Sequence, residues 1–283
     1  MGVPSRPHFM ILKRRYLTRK MSIPRVLGTW SNVTRRIHVI GIGAGNPDFV
    51  TAQAVAALND TEVFFASDKG ITDLVAWRRD ICARFITGSY RFVELPDPKR
   101  ADDVDYRKAV TDWHAARARL WADAITRELA PGGVGAFLAW GDPSLYDSTL
   151  RILGAVARHV DIGYDVIPGI TAIQALTATF RIPLNEIGEP VLITTGRRLA
   201  EFTGTVVVML DADCAFRSCP PDTDIWWGAY LGTEHELLVS GTVGGVGDRI
   251  AELRAEARAR HGWIMDTYLL RSAGRSRLAG DIR

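Results

Sequence analysis

The sequence predicts an α/β protein of two domains, the first built on a five-stranded, mostly parallel sheet and the second on a mixed sheet. Three observations predict it. Between Ile37 and Phe180, short apolar runs alternate with segments of helical period, the pattern of a parallel sheet covered on both faces. Three of those runs end in glycine-bearing turns: Gly41-Ile42-Gly43-Ala44-Gly45-Asn46-Pro47, Gly141-Asp142-Pro143 and Pro168-Gly169-Ile170-Thr171-Ala172. Finally, Pro, Asn and Gly cluster over 183–190, and beyond them strands follow one another with short connections.

Taken in order, Ile37–Ile42 is an apolar strand running into glycines. Thr51 opens a short helix to Leu58 as its N-cap, and Val63–Ala66 is the second strand. Asp73–Phe85 is an amphipathic helix that sets Arg78, Arg79 and Arg84 apart from Leu74, Val75 and Ile81. Tyr90–Leu95 is a third strand, Pro96–Asp105 a polar loop, and Tyr106–Leu129 a long helix stopped by Pro131-Gly132-Gly133. Val134–Trp140 reads as the central buried strand, with a helix from about Leu145 to Val156 after its turn. Tyr164–Ile167 and the helix Thr171–Phe180 complete the first domain. Strands then fall at Val191–Thr195, Thr205–Leu210, Asp224–Tyr230 and Glu236–Thr242, followed by a helix, Val246–His261, and a last strand, Met265–Arg271. The domains are therefore 37–182 and 190–283, after an extension of residues 1–36.

That extension holds nine of the 35 Lys and Arg and no acid. The body is left with 26 basic and 32 acidic residues, a net of −6 that argues against a general nucleic-acid binder. Pro4, Pro7 and Pro24 break any helix in the extension, which reads as disordered or as upstream sequence before a start at Met21. Apolar runs of roughly seven residues are too short to span a membrane. Cys82, Cys214 and Cys219 show no C-x-x-C spacing, which fits a reducing cytoplasm and no disulfide framework.

The six histidines fall in no ligand spacing, so no metal site is expected. Gly41-x-Gly43-x-Gly45 is near a dinucleotide fingerprint, with Glu62 or Asp68 available as a ribose acid, although its third glycine comes one residue early. A nicotinamide-dependent oxidoreductase is thus one reading of the first loop, and a plain tight turn another. Asp142 is open in the same way, between a ligand contact and a cap for the helix that follows.

The order and spacing of the three turns, with Thr194-Thr195-Gly196-Arg197 at a later strand end, resemble the tetrapyrrole methylase family. Its first loop reads G-x-G-P-G-x-P-x-x-x-T, matched by Gly41 to Thr51 with Ala44 in place of the usual proline. Trp113-His114-x-x-Arg117, Trp140 to Ser148, Trp227 to Gly232 and Gly262 to Tyr268 extend the likeness to members that methylate precorrin-5 at C-1 and release acetate. The resemblance runs from about Ile37 to the C-terminus. It implies two α/β domains with a cleft between them for S-adenosylmethionine, and a homodimer.

Carried over by motif, the resemblance implies donor contacts at Ala44, Trp140, Gly141, Asp142, Leu145, Thr171, Ala172, Met209 and Gly232. A macrocycle rich in carboxylates calls for arginine and lysine beside apolar walls. Arg197 and Arg198 are the leading candidates, ahead of Arg78, Arg79, Lys99 and Arg100. His114 and Tyr146 are candidates for proton handling, His114 equally for a plain place on a long helix.

Overall fold

The computed structural model describes residues 34–67, 72–95, 98 and 106–272. The extension as far as residue 33, Asp68, Lys99, Arg100 and most of the Pro96–Asp105 loop lie outside the described residues.

The first sheet comprises β1 (Arg35–Gly41), β2 (Val63–Ser67), β3 (Arg91–Leu95), β4 (Val134–Ala139) and β5 (Ile162–Ile167), in the order β3-β2-β4-β1-β5. All of its pairings are parallel, where a mostly parallel sheet was expected. Side chains alternate between two cores, as period-two geometry requires. Ile37, Val39, Val63, Phe65 and Phe137 pack with Trp121, Ile125 and Leu153, from α3 (Tyr106–Glu128) and α4 (Thr149–Val156). On the other face, Ile40, Phe64, Ala136 and Leu138 meet Ala54, Leu58, Ile81 and Cys82, from α1 (Ala52–Asn59) and α2 (Thr72–Phe85). Burial in that second core pushes the Cys82 thiol up to about 12, so it stays protonated and packs as an apolar group. Thr51 caps α1 as expected, its side chain accepting from the Ala54 N–H.

The second sheet is mixed. It comprises β6 (Val191–Thr195), β7 (Thr205–Met209), β8 (Asp224–Ala229), β9 (Leu237–Thr242) and β10 (Asp266–Arg271), in the order β6-β7-β10-β8-β9. Only β6 and β7 run parallel. Val206, Val208, Ile225, Trp227, Tyr268 and Leu270 face α6 (Val243–His261) through Ile250 and Ala257. Val207 and Leu269 face the other way, onto Ile173, Ala175 and Leu176 of α5 (Ala172–Phe180). The helix that follows the first sheet in sequence therefore covers the second sheet. Both sheets belong to one compact unit.

Several boundaries differ from expectation, as at α6, which begins at Val243 and not Val246, and β5, which begins at Ile162 and not Tyr164; two of the shifts have a clear local cause. Arg35 and Arg36, counted with the basic extension, open β1 instead; Arg35 Nε donates to the Leu129 carbonyl at 2.8 Å and Arg36 pairs with Asp60 at 3.6 Å. The helix expected from Leu145 begins at Thr149. Tyr146 has φ 52°, outside the right-handed helical region, and the Asp147 carboxylate turns the chain into α4 by accepting from the Thr149 N–H at 2.6 Å.

Candidate active site

The three glycine turns meet at the carboxyl ends of neighbouring strands β4, β1 and β5, where open α/β sheets hold ligands. Gly43 and Gly141 exchange backbone hydrogen bonds, at 3.3 and 2.8 Å. Gly169 lies so close to the other two turns that an added Cβ would meet the Gly141 carbonyl oxygen at 2.0 Å and Gly41 C at 2.8 Å. Only glycine allows that three-way backbone contact. Gly141 itself differs: at φ +66° its Cβ would meet nothing nearer than Thr171 Cα, at 3.6 Å. The face of Gly141 is left open.

It opens into a cavity of about 310 Å³ between the two sheets. Ala44, Trp140, Gly141, Asp142, Leu145, Thr171, Ala172 and Met209, eight of the nine donor positions expected, line it. Gly232 instead borders an adjoining cavity of about 190 Å³ that shares the Trp140 wall. A Cβ on Gly232 would lie 2.6 Å from the Asn46 nitrogen, and one on Gly45 would lie 2.5 Å from the Leu231 carbonyl oxygen. Gly232 thus serves first to let its turn close onto the Gly41–Pro47 loop. Trp77 packs tilted against Trp140 with centroids 5.2 Å apart and edge-on against Trp263 at 5.9 Å, which fixes the indole wall between the cavities.

Asp142 does not cap a helix. One carboxylate oxygen accepts from the Ser144 N–H at 2.8 Å, and the other from the Gly169 N–H at 2.8 Å. Burial raises the carboxyl's pKa, but the hydrogen bonds from Ser144 and Gly169 outweigh it and hold the group below its ordinary value.

The floor of the cavity comes from Asp211 and Arg258, which the sequence did not single out, and from Ile264, Met265, Asp266 and Thr267, which it singled out only as part of the Gly262–Tyr268 motif. Beneath them Arg254 is buried in a polar network. Its Nε pairs with Asp266 at 2.8 Å, its Nη1 donates to Cys214 Sγ at 2.8 Å, and its Nη2 donates to the Asp211 carbonyl. The Trp227 indole donates to Asp266 at 2.7 Å, and the Tyr268 hydroxyl to Asp211 at 2.7 Å. Burial opposes the charge on Arg254, but Asp266 and the Cys214 sulfur together outweigh it and keep its pKa above the usual value. For Tyr268, burial and then the bond to Asp211 push the hydroxyl's pKa far up, so it is a fixed donor.

Of the other candidates, Tyr146 lines the cavity, at a φ that bulky residues rarely adopt. His114 lies outside it, its ring tilted against Trp113, with its pKa lowered by burial and then by Arg151 and Arg117. Arg78 lines the cavity; its Nε donates to the Leu138 carbonyl at 3.2 Å, and burial lowers its pKa against the pull of Asp147. Arg79 pairs with Glu94 at 3.3 Å, away from the cavity. Arg197 and Arg198 are exposed in a 3-10 turn that does not line it. That turn is drawn instead against the Asp211 side chain, which a Cβ on Gly196 would meet at 2.4 Å.

Comparison with known proteins gives a consistent result. The model of the tetrapyrrole (corrin/porphyrin) methylases matches residues 36–247. A precorrin-6A synthase [deacetylating] from Sinorhizobium sp is 52% identical over 248 residues, 84% of this chain and 95% of that protein. The structure of a cobalamin synthesis related protein (CobF) from Corynebacterium diphtheriae superposes with a TM-score of 0.74 at 43% identity, covering 84% of this chain and 98% of that one. A uroporphyrin-III C-methyltransferase from Thermus thermophilus, solved in complex with S-adenosylhomocysteine, shares the fold at a TM-score of 0.54 and 17% identity, over 85% of this chain and 93% of its own.

Proposed function

Because the chain belongs to the tetrapyrrole (corrin/porphyrin) methylase family, we propose that it methylates precorrin-5 at C-1 from S-adenosylmethionine and releases acetate, in oxygen-dependent cobalamin biosynthesis. It is an S-adenosylmethionine-dependent C-methyltransferase. The observation that carries the reading is the convergence of the three glycine turns on one cavity, with the open face of Gly141 inside it. A flat, partly apolar, partly hydrogen-bonding ligand such as the donor fits that lining, because backbone amides and carbonyls are accessible where a side chain would block them.

When bound, S-adenosylmethionine supplies a methyl group on a sulfonium, which leaves as a neutral thioether. The chain's own residues then have mainly to position and to exclude water. Ala44, Trp140, Gly141, Asp142, Leu145, Thr171, Ala172 and Met209 would hold the donor, with Gly232 supporting the first loop. Asp142, kept ionised, fixes the second and third turns to one another so that their spacing does not drift. Tyr146 is better situated for proton handling than His114, since it borders the cavity. Arg197 and Arg198, exposed beside the end of β6, are assigned to the outer carboxylates of the macrocycle.

We assign residues 37–182 and 190–283 to two α/β lobes, each holding one of the sheets apart from the first two residues of β1. A homodimer is supported by apolar surface at exposed edges: Ile187, fully exposed, Leu192 and Ile193 near the β6 edge, and Val166 on the β5 edge.

The test is incubation with precorrin-5 and methyl-labelled donor, following acetate and label together. Acetate equal to labelled product supports the reading. Full acetate release in the absence of donor would show the two events uncoupled, and unlabelled product would overturn the reading.

A further inference from the structure

Four carboxylates line the cavity, and the chain engages each of them. Asp142 accepts from Ser144 and Gly169, and Asp147 from the Thr149 N–H. Asp211 accepts from the Asp213 N–H at 3.0 Å, the Ala215 N–H at 2.7 Å and Tyr268, while Asp266 is held by Arg254 and Trp227. Two cations line the same cavity, Arg78 and Arg258. Arg78 donates to the Leu138 carbonyl and feels the field of Asp147. The Arg258 side chain is exposed and pairs with no acid among the described residues.

The reason lies one helical turn earlier. Arg254 and Arg258 stand four residues apart in α6, on one face of the helix. Arg254, the inner one, takes Asp266 and the Asp211 carbonyl for itself. Arg258 is therefore left beside the cavity with no carboxylate in ion-pair contact among the described residues. It lies in the last turn of the helix, where its own carbonyl accepts from the Gly262 N–H, and the helix dipole favours a cation there. A guanidinium stays charged at any working pH and meets a carboxylate through two parallel N–H donors.

We propose that Arg258 is the carboxylate anchor of this cavity. The proposal rests on the methyltransferase reading above, in which two ligands bring carboxylates: the amino-acid end of the donor and the side chains of the macrocycle. The shared chemistry is an anionic carboxylate, and the experiment separates its two sources.

Calorimetry with S-adenosylhomocysteine and with 5′-methylthioadenosine, which lacks the amino-acid end, is run on the wild type, Arg258→Gln and Arg258→Lys. Acceptor KM and kcat are measured alongside. If the anchored group belongs to the donor, Arg258→Gln weakens S-adenosylhomocysteine about tenfold or more and leaves methylthioadenosine unchanged. If it belongs to the acceptor, both donor affinities hold while acceptor KM rises about tenfold or more at unchanged kcat. In either case Arg258→Lys recovers part of the loss. Arg260→Gln, an exposed arginine on the same turn that does not line the cavity, shifts neither measurement. Affinities and KM all at wild-type values in Arg258→Gln would overturn the proposal, as would equal losses for the two nucleosides. A wild-type protein that does not bind S-adenosylhomocysteine would instead overturn the methyltransferase reading beneath it.

Discussion

The carboxylate of Asp142 accepts a hydrogen bond from the Gly169 N–H at 2.8 Å, across 27 residues of chain. That bond and the one from Ser144 depend on an ionised carboxylate, and they hold the group's pKa down against burial. A carboxyl depressed in the folded state stabilises the fold fully above its unfolded value of about 3.9, and loses that contribution as pH falls through the lower folded value. Asp142→Asn turns an amide N–H toward one of the backbone donors, and is expected to cost about 1 kcal/mol at neutral pH. Denaturant unfolding at a series of pH values checks this: the gap from wild type holds above about pH 4 and narrows below it. A gap of constant size down to the acid transition would show that the charge is not what matters.

Two glycines in contact should behave in opposite ways. Gly169→Ala drives a methyl group to within 2.0 Å of the Gly141 carbonyl oxygen and is expected to destabilise by about 3 kcal/mol or more. Gly141→Val bears a left-handed backbone penalty of about 1–2 kcal/mol, yet its side chain enters the cavity and not the packed backbone. It should fold and lose affinity for S-adenosylhomocysteine. Melting curves and calorimetry on both variants distinguish the two effects; unchanged affinity in Gly141→Val would mean that the ligand lies elsewhere.

Arg254 supports the cavity floor from below, and replacing it by Met strands Asp266 in an interior site. Loss of one partner from a buried ion pair costs about 3–5 kcal/mol. Arg254→Met is therefore expected to be among the most destabilising single changes in α6 and the sheet it covers, measured by the denaturant midpoint. A loss under about 1 kcal/mol would place the network in contact with water.

Assembly is the fourth expectation. Sedimentation at micromolar concentration should show a homodimer, and Leu192→Lys with Ile193→Lys on the β6 edge should shift it to monomer. A wild-type monomer removes the assignment altogether.

The first sheet was legible because parallel strands are short apolar runs broken by glycine turns, and the cap at Thr51 and the turn at Gly141 are local signals. The start of α4 was not. Leu145 continues the helical period backwards into a segment whose apolar side chains line the cavity instead, and the capping run Asp147-Ser148-Thr149 was the better signal. Asp211 and Arg258 escaped notice, and Asp266 stood inside the Gly262–Tyr268 motif without a role of its own, for a different reason. Their meeting depends on β10 pairing with β7 and β8, a long-range arrangement that periodicity does not encode. One clue was available: Arg254 interrupts the apolar face that Ile250 and Ala257 define on α6.

The place of β10 bears on how the protein is made. It is the last in chain order of the ten strands among the described residues, yet it lies at the centre of its sheet, between β7 and β8. As the polypeptide leaves the ribosome, the first sheet has all its strands long before the second can close, and β7 and β8 wait with their inner edges unpaired. Asp266, the first residue of β10, also completes the cavity floor. A nascent chain stalled before that residue would therefore carry all three glycine turns and still lack the pocket they serve. Ligand rescue of folding begins only once translation has passed it.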